Sequence, residues 1–515
     1  MKIIFRITLL ALLAVSVSPF TIAQPTKSKS TSVTASSYEQ ARKIIESGLA
    51  ALGGADAIRA SDDVKVVVRG HSYARNQSVA VNPPYDKMTR DEELYIDLNN
   101  RRYIVTTKDP LPGGFVFGGT QVITGNQGFF ADPRNRTIGP LNLTNFNNIG
   151  LVRRLPHLLL MLIYQSAPST VRWLGKESLD GAPHDVVTFA SGNGIQWSLY
   201  FDAKTNLLSK MDQMVSDAVA GDAVQETIFP GYRVVDGIKV PTGRITRRAG
   251  EIVEEVTYDS VTFKVHPPES AFAKPAGYEE LPAPTPVPTR ETKLADNVYL
   301  FESGSNSLVV EFKDYVMVVE PYAGGRGAKP TINKVKEMFP NKPLRYVVVT
   351  HHHDDHSGGL RSYIAEGVTV VTTQANQSYF EKMAGSTFSI NRDDQTKAQR
   401  KPTFEFVQNR KRVFTDGEQT VEIIDIGPSP HANEMLVAYL PKAKVVFQGD
   451  LVNLPANGKY QPTTINDSTI HFFEAIQKLG LQVERITAVH GPSTTLEELR
   501  AAIKQRPGTT TSANQ

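Results

Sequence analysis

The densest concentration of reactive side chains is the run His351-His352-His353-Asp354-Asp355-His356, which follows the apolar stretch Leu344–Thr350 and leads into Ser357-Gly358-Gly359. In extended chain, His351 and His353 project to the same side, as two ligands of one metal need. Asp355 and His356 lie just beyond and can turn toward a second metal. The Ser-Gly-Gly segment lets the backbone turn closely into a following helix. Three later polar residues also terminate apolar strands. Val421–Ile426 leads to His431, Lys444–Gln448 to Asp450, and Arg485–Val489 to His490. Residues at successive strand ends can converge on one edge of an α/β sandwich. Five imidazoles and two carboxylates, all nitrogen and oxygen donors, suit a pair of zinc ions, and other divalent metals are compatible with them.

The elements that position this set lie in the second of two halves. Proline at every second position from Pro282 to Pro288 cannot pair in a sheet and favours an extended linker. Before it, a helical segment at Tyr38–Leu52 ends at Gly53-Gly54. Strand patterns then follow, such as Val64–Val68, Glu93–Leu98, Arg102–Thr106 and Glu254–Phe263, with one apolar helix at Leu155–Tyr164. After it, a meander of three strands, Asn297–Glu302, Ser307–Phe312 and Tyr315–Glu320, gives way to alternating helices and strands. Thr494 and Glu497 read as a capping box for the final helix. Lys2 and Arg6 ahead of the apolar run Ile7–Val17, with small residues at Thr21-Ile22-Ala23, read as a signal peptide too short to span a bilayer. The expected organisation is a signal peptide (1–23), a disordered lead-in (24–37), a β-rich domain (38–278), a linker (279–291) and an α/β domain (292–515). Periplasmic or secreted protein is expected, with no stable membrane span. The two halves are expected to be separable.

Composition narrows the chemistry. The 515 residues contain no cysteine, which excludes disulfides, thiolate catalysis and zinc sites with a cysteine ligand. Net charge is +3, so there is no electrostatic case for nucleic acid. His71, His157, His184 and His266 are scattered without ligand spacing, and His471 sits on an amphipathic helix, so all five read as structural. His352 and Asp354 alternate with the candidate ligands and read as second-layer or solvent-facing groups.

The His-x-His-x-Asp-His cluster with three strand-end ligands resembles the metallo-β-lactamase-fold superfamily of metallo-hydrolases, from about Ala295 to Ile503. That resemblance implies an αββα sandwich. It also implies that His351, His353 and His431 bind one metal, that Asp355, His356 and His490 bind a second, and that Asp450 bridges them. Asp355 would in addition be catalytic, orienting a metal-bound hydroxide that cleaves an ester, lactone, amide or related bond of a small-molecule substrate. A flavodiiron-type centre fits less well, because His353 stands where that group usually has Glu. Asp450 and Asn453 depart from the thiolate-type β-lactamases at a cysteine and a substrate-binding lysine. In the first half, Ala51–Gly54, Tyr200–Thr205 and Tyr232–Pro241 resemble the outer-membrane lipoprotein-carrier type of domain. This implies a mostly antiparallel β half-barrel with a few helices and room for an apolar ligand. The rival function is therefore an exported binding or carrier protein with a structural metal site.

Overall fold

The computed structural model describes residues 32–112, 116–143, 150, 152–283, 289–322, 324–455, 458–460 and 465–505. The expected signal peptide and the proline run Pro284–Pro288 lie outside them. Among the described residues, the first half forms an open sheet of 14 strands, in chain order from Asp63–Tyr73 to Glu279–Glu280, and a separate two-stranded sheet of Tyr232–Val235 and Ile238–Pro241. The 14-stranded sheet is antiparallel except where Glu279–Glu280 runs parallel to Thr137–Pro140. Those two glutamates were expected in the linker, yet they still belong to the first sheet.

One face of this sheet packs on two helices. Helix Val33–Leu52 buries Ala41, Ile45, Leu49 and Leu52, a spacing that keeps one stripe inward. Helix Pro156–Ser166 joins it against Val64, Val66, Val68, Leu94, Ile96 and Phe201. The first helix starts at Val33, so Val33–Ser37 of the expected disordered lead-in are helical. It stops at Gly53, whose φ of 126° is strained for any residue with a side chain.

The second half is a four-layer αββα sandwich. Its larger sheet has 7 strands, from Arg290–Ala295 to Thr403–Phe406, and its smaller sheet has 6, from Lys411–Thr415 to Thr494–Thr495. Continuous apolar strands make this arrangement possible, because alternate side chains serve opposite faces. In Val316–Val319, Met317 and Val319 enter the core between the sheets, while Val316 and Val318 pack on the helices outside. Ile423 and Ile424 divide the same way on the smaller sheet. The final helix is capped one residue later than expected, by Thr495 and Glu498, because Thr494 pairs with Ile486.

The halves are joined by more than the linker. The hairpin tip at Val219 packs into the helix-covered core of the second half. Beside it, Ser389 and Ile390 donate backbone N–H groups to Asp222 at 2.7 and 3.1 Å. A second loop, residues 74–86, reaches the edge where the expected ligands converge. The halves therefore share an interface besides the linker.

Candidate metal centre

Strand Leu344–Val348 runs parallel to Val316–Val319 and delivers Thr350 and the histidine run at its C-terminal end. In the smaller sheet, Thr420–Asp425 precedes the loop carrying His431. Val445–Gln448 and the parallel Arg485–Ala488 deliver Asp450 and His490. Gly449 permits this convergence: a Cβ there would lie 2.9 Å from Thr350 Oγ1 and 3.0 Å from the His351 ring.

The seven residues form two adjoining groups. His351, His353 and His431 make one, and Asp355, His356, Asp450 and His490 the other, with ligand atoms in each group within 4.8 Å of one another. Asp450 faces both. Its Oδ2 lies 3.5 Å from His431 Nε2, and its Oδ1 lies 3.1 Å from His356 Nε2 and 3.6 Å from His490 Nε2. His351 Nε2 and His431 Nε2 stand 3.2 Å apart. Two nitrogens bound tetrahedrally at about 2.0–2.1 Å from one zinc would be separated by roughly 3.3 Å.

Outer contacts set the tautomers. Thr350 Oγ1 donates to Glu320 Oε2, so it accepts from His351 Nδ1 at 3.0 Å and leaves Nε2 with a lone pair. His353 Nε2 donates to the Ser78 carbonyl at 3.0 Å, leaving Nδ1 as the free acceptor, buried without a hydrogen bond. Ser305 Oγ lies 3.1 Å from His490 Nδ1. Burial and the neighbouring imidazoles hold His351 and His353 well below the usual histidine pKa, so their rings are neutral and available to a cation. Burial pushes the Asp450 carboxyl up, but His356, His490 and His431 outweigh it and keep the carboxylate ionised. Buried lone pairs aimed at a common centre, with a carboxylate between them, fit a pair of divalent cations. The rim opens at Asp355 and His490, whose side chains are 40% and 33% exposed, whereas His351, His353 and His356 are fully buried.

Residues 300–500 match the sequence model of the metallo-beta-lactamase superfamily. That match lies entirely within the C-terminal half. A linear primary-alkylsulfatase from a Pseudomonas species is 36% identical over 62 residues, 12% of this chain and 9% of that protein, so the chain spans only a small part of that relative. Among solved structures, a metallo-beta-lactamase from Pontibacter korlensis is 20% identical, covering 42% of this chain and 100% of that one, with a TM-score of 0.33. The enzyme FIM-1 from Pseudomonas aeruginosa, in a mono-zinc form, is 22% identical over 43% of this chain and 96% of its own, with a TM-score of 0.34.

The other histidines belong to neither donor group. His157 is buried against Phe263, and burial pushes it down to about 3. His184 bonds Ala182 O and Ser209, and His471 donates to Ile426 O. His352 is buried against Tyr379 and not solvent-facing. Besides Thr350 and Ser305, further residues that contact the ligands were not expected from the sequence. Glu320 lies buried under Thr350 and His356, and Gln77 and Ser78 come from the first half. Glu320 carried a readable signal, an acid closing the apolar strand Val316–Val319. Gln77 and Ser78 carried none, because they lie in an ordinary turn sequence.

Proposed function

We propose that this protein is an exported binuclear zinc hydrolase that cleaves an ester, lactone, amide or related bond in a small molecule. The supporting observation is the position of Asp450, whose two oxygens face the two donor groups separately. His351, His353 and His431 would hold one ion, Asp355, His356 and His490 the other, and Asp450 both. Zinc bound there would supply Lewis acidity and a water acidic enough to attack at neutral pH. The chain's own residues do the rest. Asp355, at the open rim, orients the attacking water and accepts its hydrogen bond. The buried histidines keep that side of the site dry, so charge developing in the substrate is stabilised in a low-dielectric setting. The short stretch shared with an alkylsulfatase adds sulfate esters to the bonds worth testing.

The test is hydrolysis by the zinc-loaded full chain across a carboxylic ester, a lactone, a β-lactam, a phosphodiester and a primary alkyl sulfate. Activity that is lost in Asp355→Asn while the fold is retained supports the reading. A chain that binds no zinc, or turns over none of the panel, would refute it.

The carrier alternative has one observation in its favour. An open pocket of about 590 Å³ in the first half is lined by Val122, Phe129, Ile138, Leu141, Phe272 and Leu281, and also by the polar Thr124, Asn126, Gln127, Lys274 and Glu280. Retention of a fluorescent fatty acid by the metal-free chain, with no turnover on any substrate, would favour it.

A further inference from the structure

The loop of residues 74–86 belongs to the first sheet, yet it touches both groups of candidate ligands. Gln77 uses its single amide nitrogen twice, donating to Asp355 Oδ1 at 2.8 Å and to Asp354 Oδ1 at 2.7 Å. This leaves Asp355 Oδ2 directed at His490 and His356, 3.3 and 3.4 Å away. The Ser78 carbonyl accepts from His353 Nε2, which fixes the tautomer whose Nδ1 faces the first group. Backbone bonds stitch the same loop to both ligand segments: Asp354 N–H donates to Asn76 O, and Asn433 N–H, two residues beyond His431, donates to Val79 O at 2.9 Å.

The loop is itself braced. Asp86 accepts from Ser78 Oγ at 2.6 Å and from Val79 N–H at 2.7 Å. Arg75 pairs with the buried Asp217 at 2.7 Å and also with the half-buried Glu251, both in the first half. Asn76 takes a positive φ of 65°, which asparagine tolerates better than most residues.

We propose that residues 74–86 act as a positioning clamp on the metal ligands, with Gln77 aligning Asp355 for the second metal and the Ser78 carbonyl aligning His353 for the first. The first half of the chain is thereby part of the metal centre, although it contributes no ligand. Outer hydrogen bonds of this kind typically govern metal affinity by about 10–100-fold. The clamp rests on reading the seven residues as a metal site, and the test separates the two ideas.

The experiment strips the full-length chain of metal and measures zinc affinity at each site by competition with a chromophoric chelator. The visible spectrum of the cobalt-loaded protein reports ligand geometry in parallel. Gln77→Met keeps the bulk but removes both bonds, and should weaken the second site by about 10–100-fold while sparing the first. Asp86→Ala frees the Ser78 carbonyl and should weaken the first site instead, with a shift in its cobalt bands. Asp222→Ala, at the other contact between the halves, should lower thermal stability without changing either affinity. The clamp is overturned if Gln77→Met and Asp86→Ala both leave affinity within about twofold of wild type. It is also overturned if Asp222→Ala weakens the sites as much as they do. If one of the two loop variants fails to fold, the other decides. A wild-type chain that binds no zinc overturns the metal site and the clamp together.

Discussion

Each half of the chain buries a cluster of ionisable side chains, and the two clusters are satisfied in opposite ways. In the first half, the fully buried Glu92 meets Arg154, Arg90 at 2.9 Å and Arg244 at 3.8 Å. Arg244 also forks onto Glu254 at 2.8 and 2.9 Å. Each carboxylate there faces at least one guanidinium, and the planar fork supplies matched donors. In the second half, imidazole nitrogens face one another and a shared carboxylate. His351 and His431 present nitrogens to each other at 3.2 Å, and His353 Nδ1 has no hydrogen-bond partner. A closed network holds structure; a network whose acceptors converge on empty direction calls for a cation. Burial alone therefore does not mark the functional cluster, since both are buried. The orientation of the unused lone pairs does.

The sharpest way to break this contrast is to remove the shared carboxylate. Asp450→Ala should abolish hydrolysis by several orders of magnitude and leave fewer than two zinc ions per chain, with the fold retained. Elemental analysis and circular dichroism together check it. Full zinc content in that variant would place the bridging position elsewhere.

Removing the corresponding anion of the other cluster should act on stability instead. Glu92→Gln leaves Arg154 without its carboxylate partner, while Arg90 keeps Asp109 and Arg244 keeps Glu254, at a cost of about 3–5 kcal/mol. Urea denaturation should show this loss, while zinc content stays at the wild-type level. Equal stability of variant and wild type would mean that Arg154 is neutralised from elsewhere.

The same contrast explains what could be read from the sequence. The αββα half was legible because its strands are unbroken apolar runs, and each ligand follows the end of one: His351 after Leu344–Thr350, Asp450 after Lys444–Gln448, His490 after Arg485–Val489. The strands of the first half showed for a similar reason, and the helix Val33–Leu52 was recognised with its C-terminal end in place but its first turn missed. What stayed hidden depends on docking. Gln77 and Ser78 lie more than 270 positions from the residues they align, in a turn without periodicity, and only the packing of the two halves gives them a role. The arginine–glutamate network was hidden likewise, because Glu92 and Arg244 look like ordinary strand charges until their sheet neighbours are known.

A third measurement follows the arginine cluster with pH. Burial pushes the Glu254 carboxyl up, but Arg244, Arg90 and Arg154 outweigh it and bring it down to about 2. Its folded value thus lies below the ordinary glutamate value of about 4.5. The stability this provides, on the order of 3 kcal/mol, is fully present above the unfolded value and is lost as pH falls from about 4.5 through about 2. Thermal unfolding of the zinc-loaded chain across that window should show a slope that Glu254→Gln flattens. An unchanged slope in the variant would assign acid sensitivity to other carboxylates.

The smallest effect is expected at His352, which interrupts the ligand run without joining it. The residue is 1% exposed; its ring meets Tyr379 edge-on at 5.6 Å and the His353 ring at 4.8 Å, but it belongs to neither donor group. A phenyl ring fills nearly the same volume and brings no polar nitrogen into this dry position, so the packing and polarity changes largely offset one another. His352→Phe should shift stability by less than about 1.5 kcal/mol and leave both zinc ions in place. His351→Phe, one residue earlier and on the ligand side of the strand end, should lose the first metal. Equilibrium unfolding and zinc analysis on the pair separate two adjacent histidines of the same type. If His352→Phe lost metal as His351→Phe does, alternation along the strand end would not decide which histidines ligate, and the two-group assignment would need redrawing.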